Sequence, residues 1–132
     1  MLTYIDSSVA LRSILAQDSN APLEAWIDHV YQSGGLLSSQ LLRTEVIRTL
    51  RRDSRPVSDG QALLTRVRLV RVTDATFTVA ESIERHIKTL DALHLATALL
   101  IGEPITVASH DSTMLSVAEH LGLDTIDPIN SA

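Results

Sequence analysis

Short apolar segments alternate with longer helical segments along this sequence, and that order leaves few possible architectures. Segments typical of buried strands lie at 2–6, 36–39, 69–73, 105–109 and 124–127. The spacing of apolar residues between them predicts helices over 8–16, 21–33, 41–52, 58–68, 75–88, 90–101 and 111–121. Strands separated by helices form a mainly parallel sheet with helices on both faces. We therefore expect an α/β three-layer sandwich with four to five short strands, built as a single domain over 1–132.

Composition excludes several kinds of chemistry. The 132 residues include no cysteine, which rules out disulfides, thiolate nucleophiles and cysteine-based zinc sites. No apolar run reaches the roughly 18 residues that a membrane span needs. No basic region precedes a long apolar stretch at the N-terminus, as a secretory signal would require. We expect a cytoplasmic protein that has no membrane partner.

Basic residues are concentrated in one segment of an acidic chain. The formal net charge is −5, yet eight of the eleven lysines and arginines lie in 43–71, together with only three acidic residues. A basic patch of this kind can bind phosphate groups. It can equally be a solvated helix face or a surface for an acidic protein, so charge alone leaves these alternatives open.

Two aspartates follow predicted strands. Asp6 ends the first strand, and Asp111 lies just beyond 105–109. The carboxyl ends of parallel strands meet at one edge of the sheet, where ligands collect, so both carboxylates should reach the same edge. Each also has a purely structural explanation, because aspartate is a good N-cap for a helix that follows it.

Glu45 occupies an apolar stripe within a predicted helix. It falls between Leu41 and Leu42 on the helical wheel. A glutamate in such a position is costly unless it has a partner. The purely structural interpretation of Glu45 is that it forms an ion pair with Arg48 or Arg52.

Asp91 begins a helix that is apolar nearly all round, which indicates a buried central helix. The helix dipole favours an acidic side chain in the first turn, so a structural role is again available. His94 can orient Asp91, contact substrate or simply be a satisfied core histidine, and the last interpretation is favoured. Four carboxylates in one cleft would repel one another unless a cation held them. Ligation by oxygen alone suits Mg²⁺ or Mn²⁺.

Four blocks of the sequence resemble the PIN-domain family, and in particular the VapC-type toxins of bacterial toxin–antitoxin pairs. The blocks are YIDSSVAL (4–11), LLRTEVIRTLRR (41–52), TLDALHLATAL (89–99) and VASHDSTMLSVAEHLGL (107–123), of which the third is the most specific. The resemblance implies a small α/β sandwich with a central parallel sheet. It also implies a Mg²⁺- or Mn²⁺-dependent ribonuclease that forms a homodimer and is silenced by a cognate antitoxin.

The acidic quartet of that family corresponds to Asp6, Glu45, Asp91 and Asp111, which the resemblance makes the metal ligands and catalytic residues. Asp6 and Asp91 are the expected direct ligands, and Glu45 is expected to orient the attacking water or complete the shell. Contacts with the RNA substrate are expected from Ser8, Arg48, Arg52 and Ser109.

Two other protein classes that hold Mg²⁺ with clustered acids fit this sequence less well, and one alternative function stays open. A phosphoacceptor receiver domain needs paired acids after the first strand and a lysine after a late strand. Here Asp6 precedes two serines, and the only lysine, Lys88, lies in a predicted helix. Phosphatases of the haloacid-dehalogenase type need a second aspartate where Ser8 stands. A PIN-like module that binds RNA or an antitoxin without cutting RNA stays open as the alternative.

Overall fold

A five-stranded parallel sheet forms the centre of the protein. In the computed structural model, which describes residues 2–16 and 20–129, the strands are β1 (Leu2–Ile5), β2 (Leu36–Ser39), β3 (Arg68–Val70), β4 (Ile105–Ala108) and β5 (Asp124–Ile126). They are ordered β3–β2–β1–β4–β5, and each hydrogen-bonded pair is parallel. The predicted parallel sheet of short strands is confirmed.

Seven α-helices within the described residues connect and cover the strands. They are α1 (Ser7–Leu15), α2 (Ala21–Ser33), α3 (Gln40–Arg52), α4 (Gln61–Leu64), α5 (Asp74–Glu81), α6 (Thr89–Leu99) and α7 (Ser112–His120), and a 3₁₀ turn (Val57–Gly60) precedes α4. Among these helices none is both long enough and apolar enough to cross a membrane.

The side chains of β1 alternate between the two faces of the sheet, as the pleat requires. Ile5 packs in one apolar cluster with residues of α1, α2 and α3. Tyr4 packs in a second cluster with residues of α6 and α7. Because both faces are buried, the strands are nearly continuous apolar runs in the sequence. The three-layer sandwich is therefore confirmed.

The strand order creates a crevice between β1 and β4. From β1 the chain moves to β2 and β3 on one side, and later returns to β4 and β5 on the other. Ligand sites in open parallel sheets lie outside the carboxyl ends of the strands at such a reversal. Ile5 pairs with Ala108 at the ends of the two strands. The next residues along each strand, Asp6 and Ser109, are therefore neighbours at the crevice.

The region before β3 is less helical than the sequence predicts. Instead of a helix over 58–68, the chain forms the 3₁₀ turn and the four-residue α4, and β3 is shorter than the predicted strand over 69–73. Gly60 is buried, and a Cβ on it would lie 2.9 Å from Val46 Cγ1. The turn therefore packs closely against α3 at this glycine.

Helix α5 ends at residue 81 rather than at 88. Ile83 and Ile87 have the four-residue spacing of a helix, yet both pack against the second apolar cluster from a segment without regular structure. The N-cap of α5 is Thr73, which forms a capping box with Thr76. All other helices and strands begin and end within two residues of the prediction.

Candidate active site

Asp6 lies at the carboxyl end of β1 and is almost completely buried. Its Oδ1 accepts hydrogen bonds from the Ser8 hydroxyl (2.6 Å) and the Val9 N–H (3.2 Å), so Asp6 caps α1. Its Oδ2 accepts a hydrogen bond from the Ser109 hydroxyl (2.5 Å) at the end of β4. The capping role is real, and it fixes the carboxylate at the crevice between the two strands.

Asp111 is connected to Asp6 through Ser109. The hydroxyl of this fully buried serine donates to Asp6 and accepts a hydrogen bond from the Asp111 N–H (2.9 Å). The exposed Asp111 carboxylate caps α7 by accepting the N–H groups of Thr113 and Met114. The two aspartates predicted to meet at this edge thus belong to one hydrogen-bonded network.

Glu45 lies on α3 and pairs with a histidine rather than an arginine. Its Oε1 lies 2.6 Å from Nε2 of His94 on α6. Among the described residues, Arg52 pairs instead with Asp53. The predicted ion pair of Glu45 with Arg48 or Arg52 is therefore wrong, because His94 of the neighbouring helix α6 is the partner of Glu45.

Both ring nitrogens of His94 have partners, although the residue is fully buried. Nδ1 lies 2.6 Å from the Tyr4 hydroxyl, and Nε2 contacts Glu45. Burial raises the pKa of the Tyr4 hydroxyl far above its ordinary range, so the hydroxyl stays protonated. The interpretation of His94 as a core histidine whose polar atoms all have partners is confirmed, but one of those partners, Glu45, belongs to the predicted site.

Asp91 lies in the first turn of α6 and is partly buried. Burial raises the pKa of its carboxyl group, and the negative charges of Asp6, Asp111 and Glu45 raise it as well, whereas His94 lowers it. Coulomb interactions weaken with distance. All four acids of the predicted quartet therefore lie in one electrostatic neighbourhood, although they come from four separate parts of the chain.

The donors of this neighbourhood are carboxylate and hydroxyl oxygens. Within residues 2–16 and 20–129, no group of three or more histidine or acidic side chains is already arranged as a metal site. The donor chemistry nevertheless fits a hard divalent cation, since Mg²⁺ and Mn²⁺ prefer oxygen ligands. Burial is the main cause of the raised pKa of the Asp91 carboxyl group, and a bound cation would offset the further contribution of the charges of Asp6, Asp111 and Glu45.

A groove of about 530 Å³ opens beside Glu45. Leu11 and Leu90 contribute to its apolar walls, and Arg48 and Arg52 line it one helical turn apart. The two arginines predicted to contact substrate thus line the same groove as Glu45.

Comparison of the sequence with known protein families shows which family this chain belongs to. The sequence pattern of the PIN domain matches residues 3–125. The chain belongs to the PIN domain family. Two relatives from Mycobacterium tuberculosis are each 28% identical to this PIN-domain chain. Ribonuclease VapC47 aligns over 134 residues, which cover 96% of this chain and 97% of the relative. Ribonuclease VapC46 aligns over 128 residues, which cover 95% and 96%.

Two solved structures share the fold of this PIN-domain chain at low sequence identity. VapBC2 from Rickettsia felis, bound to a DNA fragment from its promoter, gives a TM-score of 0.75 at 12% identity and covers 96% of this chain and 98% of that chain. FitAcB from Neisseria gonorrhoeae gives a TM-score of 0.71 at 16% identity, with 96% and 98% covered. At these identities the likeness establishes the fold alone.

Two serines of this PIN-domain chain are predicted to contact substrate. In the structure the hydroxyls of Ser8 and Ser109 both donate to Asp6. Ser8 also accepts a hydrogen bond from the His110 N–H. Both serines therefore orient the carboxylate, and a direct substrate contact by either one stays a prediction.

The contact from Tyr4 through His94 to Glu45 is the part of the site that sequence reasoning misses. One signal was available, since the alternation along β1 places Tyr4 and Asp6 two residues apart on the same side of the strand. The identity of the Glu45 partner depends on how α3 and α6 pack, which periodicity does not reveal.

Proposed function

We propose that this PIN-domain protein is a divalent-metal-dependent ribonuclease, the toxin of a toxin–antitoxin pair. The observation that carries the proposal is the shared electrostatic neighbourhood of Asp6, Glu45, Asp91 and Asp111, in which burial and the charges of the other three acids raise the pKa of Asp91. The two relatives named as ribonucleases support it, because they align with the chain over nearly its whole length.

In this proposal Asp6 and Asp91 hold Mg²⁺ or Mn²⁺, and Asp111 and Glu45 complete the acidic set. A bound ion of this kind lowers the pKa of water and stabilises the charge that develops on a phosphate during hydrolysis. Asp6 is held for this role by two serine hydroxyls, so it needs little rearrangement. Glu45 lines the groove and would orient the attacking water.

The groove beside Glu45 supplies the RNA contacts of the proposal. Arg48 and Arg52 project from one face of α3, and each guanidinium can donate two parallel hydrogen bonds to a phosphate. Leu11 and Leu90 provide apolar walls against which a ribose or a base can pack. RNA would therefore follow the groove with its backbone on the arginine side.

The proposed partners are a cognate antitoxin and a second copy of the chain. The resemblance to VapC-type toxins supports both, together with a location in the cytoplasm. The fold is shared with VapBC2 and FitAcB, and the VapBC2 structure contains a fragment of its promoter DNA. Purification with and without a co-expressed neighbouring gene product would test the antitoxin, and light scattering would test the homodimer.

Incubation of the purified protein with total RNA tests the proposed activity. Cleavage should require Mg²⁺ or Mn²⁺, stop with EDTA and return when excess metal is added. Asp6→Asn and Asp91→Asn should abolish cleavage while leaving the fold intact. Asp74→Asn is the matched control, because Asp74 is an exposed aspartate in the first turn of α5 and lies outside the site. Cleavage that persists in EDTA, or in either site variant, would refute the assignment.

A non-cleaving module that binds RNA or an antitoxin is the second candidate. It is favoured by the local partners that Asp6, Asp111 and Glu45 each have. Gel-shift binding of RNA without new RNA ends, at saturating Mn²⁺, would establish this second candidate.

A further inference from the structure

A chain of hydrogen-bonded side chains runs from Tyr4 on β1, through His94 on α6, to Glu45 of the proposed active site. Tyr4 and His94 are both fully buried, and the Tyr4 hydroxyl lies 2.6 Å from Nδ1 of His94. On the other side of the ring, Nε2 lies 2.6 Å from Oε1 of Glu45. The surrounding residues of α6 that pack on the sheet, Leu95 and Ala98, are apolar. A polar pair buried in such surroundings is costly unless every donor and acceptor is satisfied.

The positions of the hydrogens follow from the partners. Glu45 as a carboxylate offers only acceptors, so a bond to it requires a hydrogen on Nε2 of His94. In the neutral imidazole Nδ1 is then an acceptor, and the Tyr4 hydroxyl donates to it. This arrangement gives both ring nitrogens of His94 and the Tyr4 hydroxyl a hydrogen-bond partner. The opposite tautomer would place a lone pair of Nε2 against a lone pair of Oε1.

We propose that Tyr4 and His94 are positioning residues that fix the Glu45 carboxylate in the active site. The role rests on the proposed function, because Glu45 acts there on water or the metal. A bond through Oε1 leaves Oε2 as the oxygen that serves the site. Glu45 lies on α3 and is only partly buried, so without this bond its side chain is free to rotate within the groove.

Mn²⁺ binding to the purified protein, measured by calorimetric titration without RNA, tests this role. His94→Leu should weaken the Mn²⁺ affinity about tenfold or more, which is the usual effect of removing a partner of a ligating group. His94→Gln should retain most of the affinity, because its amide N–H can reach Glu45 from the same backbone position. Leu95→Ala is the control for damage to α6, since Leu95 is the neighbouring buried residue of the helix and has an apolar side chain that cannot hydrogen-bond to Glu45.

A double-variant cycle separates positioning from packing. In a Glu45→Ala background, His94→Leu should cause a much smaller further loss of Mn²⁺ affinity, because the proposed positioning role is exerted through Glu45. An equal loss in both backgrounds would overturn the role. Mn²⁺ binding by the wild type that His94→Leu leaves unchanged would also overturn it, while leaving the proposed function intact. A wild type that neither binds Mn²⁺ nor cleaves RNA would overturn the proposed function and this role together.

The tautomer gives a readout that is independent of metal and activity. Nitrogen-15 NMR of the histidine rings in the metal-free protein should show a protonated Nε2 on His94, with a signal that changes in Tyr4→Phe and in Glu45→Gln. An Nε2 without a hydrogen in the wild-type protein would overturn the proposal, since no donor would then face Glu45.

Discussion

Replacing Ser109 with alanine should destabilise the protein more than most losses of a single hydroxyl group. Ser109 is fully buried, and its hydroxyl donates to the Asp6 carboxylate at 2.5 Å and accepts the Asp111 N–H at 2.9 Å. A hydrogen bond to a charged group contributes about 1.5–3 kcal/mol, and one between neutral groups about 0.5–1.5 kcal/mol. The loss of both should lower the free energy of unfolding by about 2–4 kcal/mol.

Ser38→Ala is the matched control. Ser38 is also fully buried in the sheet, but its hydroxyl donates to the Ile5 carbonyl at 2.7 Å and contacts the Tyr4 hydroxyl, so both partners are neutral. The expected loss is about 1–2 kcal/mol. Urea unfolding followed by circular dichroism measures both variants, and the difference should separate their midpoints by about 0.5–1 M.

A second comparison shows whether the Asp6 charge is the cause. In an Asp6→Ala background, Ser109→Ala should cost only the neutral bond to the Asp111 N–H. If Ser109→Ala and Ser38→Ala have the same midpoint, or if Ser109→Ala costs as much without Asp6 as with it, the serine does not stabilise the carboxylate and the reasoning fails.

Three further outcomes are expected. Asp91→Asn should stabilise the protein at pH 7, because burial and nearby carboxylates raise the pKa of Asp91 in the folded state. The folded protein therefore disfavours the ionised carboxylate, which the variant lacks. In thermal unfolding, the stability advantage of the variant should shrink as the pH falls towards about 4, where Asp91 is protonated in both states. Gly60→Ala should cost about 1–3 kcal/mol in urea unfolding, because the new Cβ would lie 2.9 Å from a valine methyl group of α3, and an unchanged midpoint would exclude that overlap. Arg48→Ala and Arg52→Ala should each raise KM for RNA and reduce the magnitude of the salt-dependence slope by about 0.7, whereas Arg43→Ala, on another face of α3, should change neither quantity.

The sheet and most of the helices could be predicted because their signals are local. The strands are short apolar runs and the helices have regular apolar spacing, so β1, β2 and β4 lie within one residue of their predicted ends. The same signal fails where packing replaces helical structure. Ile83 and Ile87 have helical spacing, yet they contact the core from an irregular segment.

The acids of the site could be predicted as a group, but their partners could not. Strand ends place Asp6 and Asp111 at one edge, where the Ser109 hydroxyl bonds to the Asp6 carboxylate and to the Asp111 N–H, and both charges raise the pKa of Asp91. The partner of Glu45 depends on the packing of α3 against α6. A sequence-based choice from the same helix therefore selects an arginine, whereas the structure places His94 there.

Anomalous diffraction from crystals grown with Mn²⁺ tests most directly whether these carboxylates form a shared cation site. We predict one strong manganese peak at the carboxyl ends of β1 and β4, with Asp6 and Asp91 as direct ligands at about 2.0–2.2 Å. Asp6→Asn crystals grown under the same conditions should lose the peak. A wild-type map with no peak there, in which the four side chains point into separate regions, would show that the acids are structural and that the protein is not a metal-dependent nuclease of this kind.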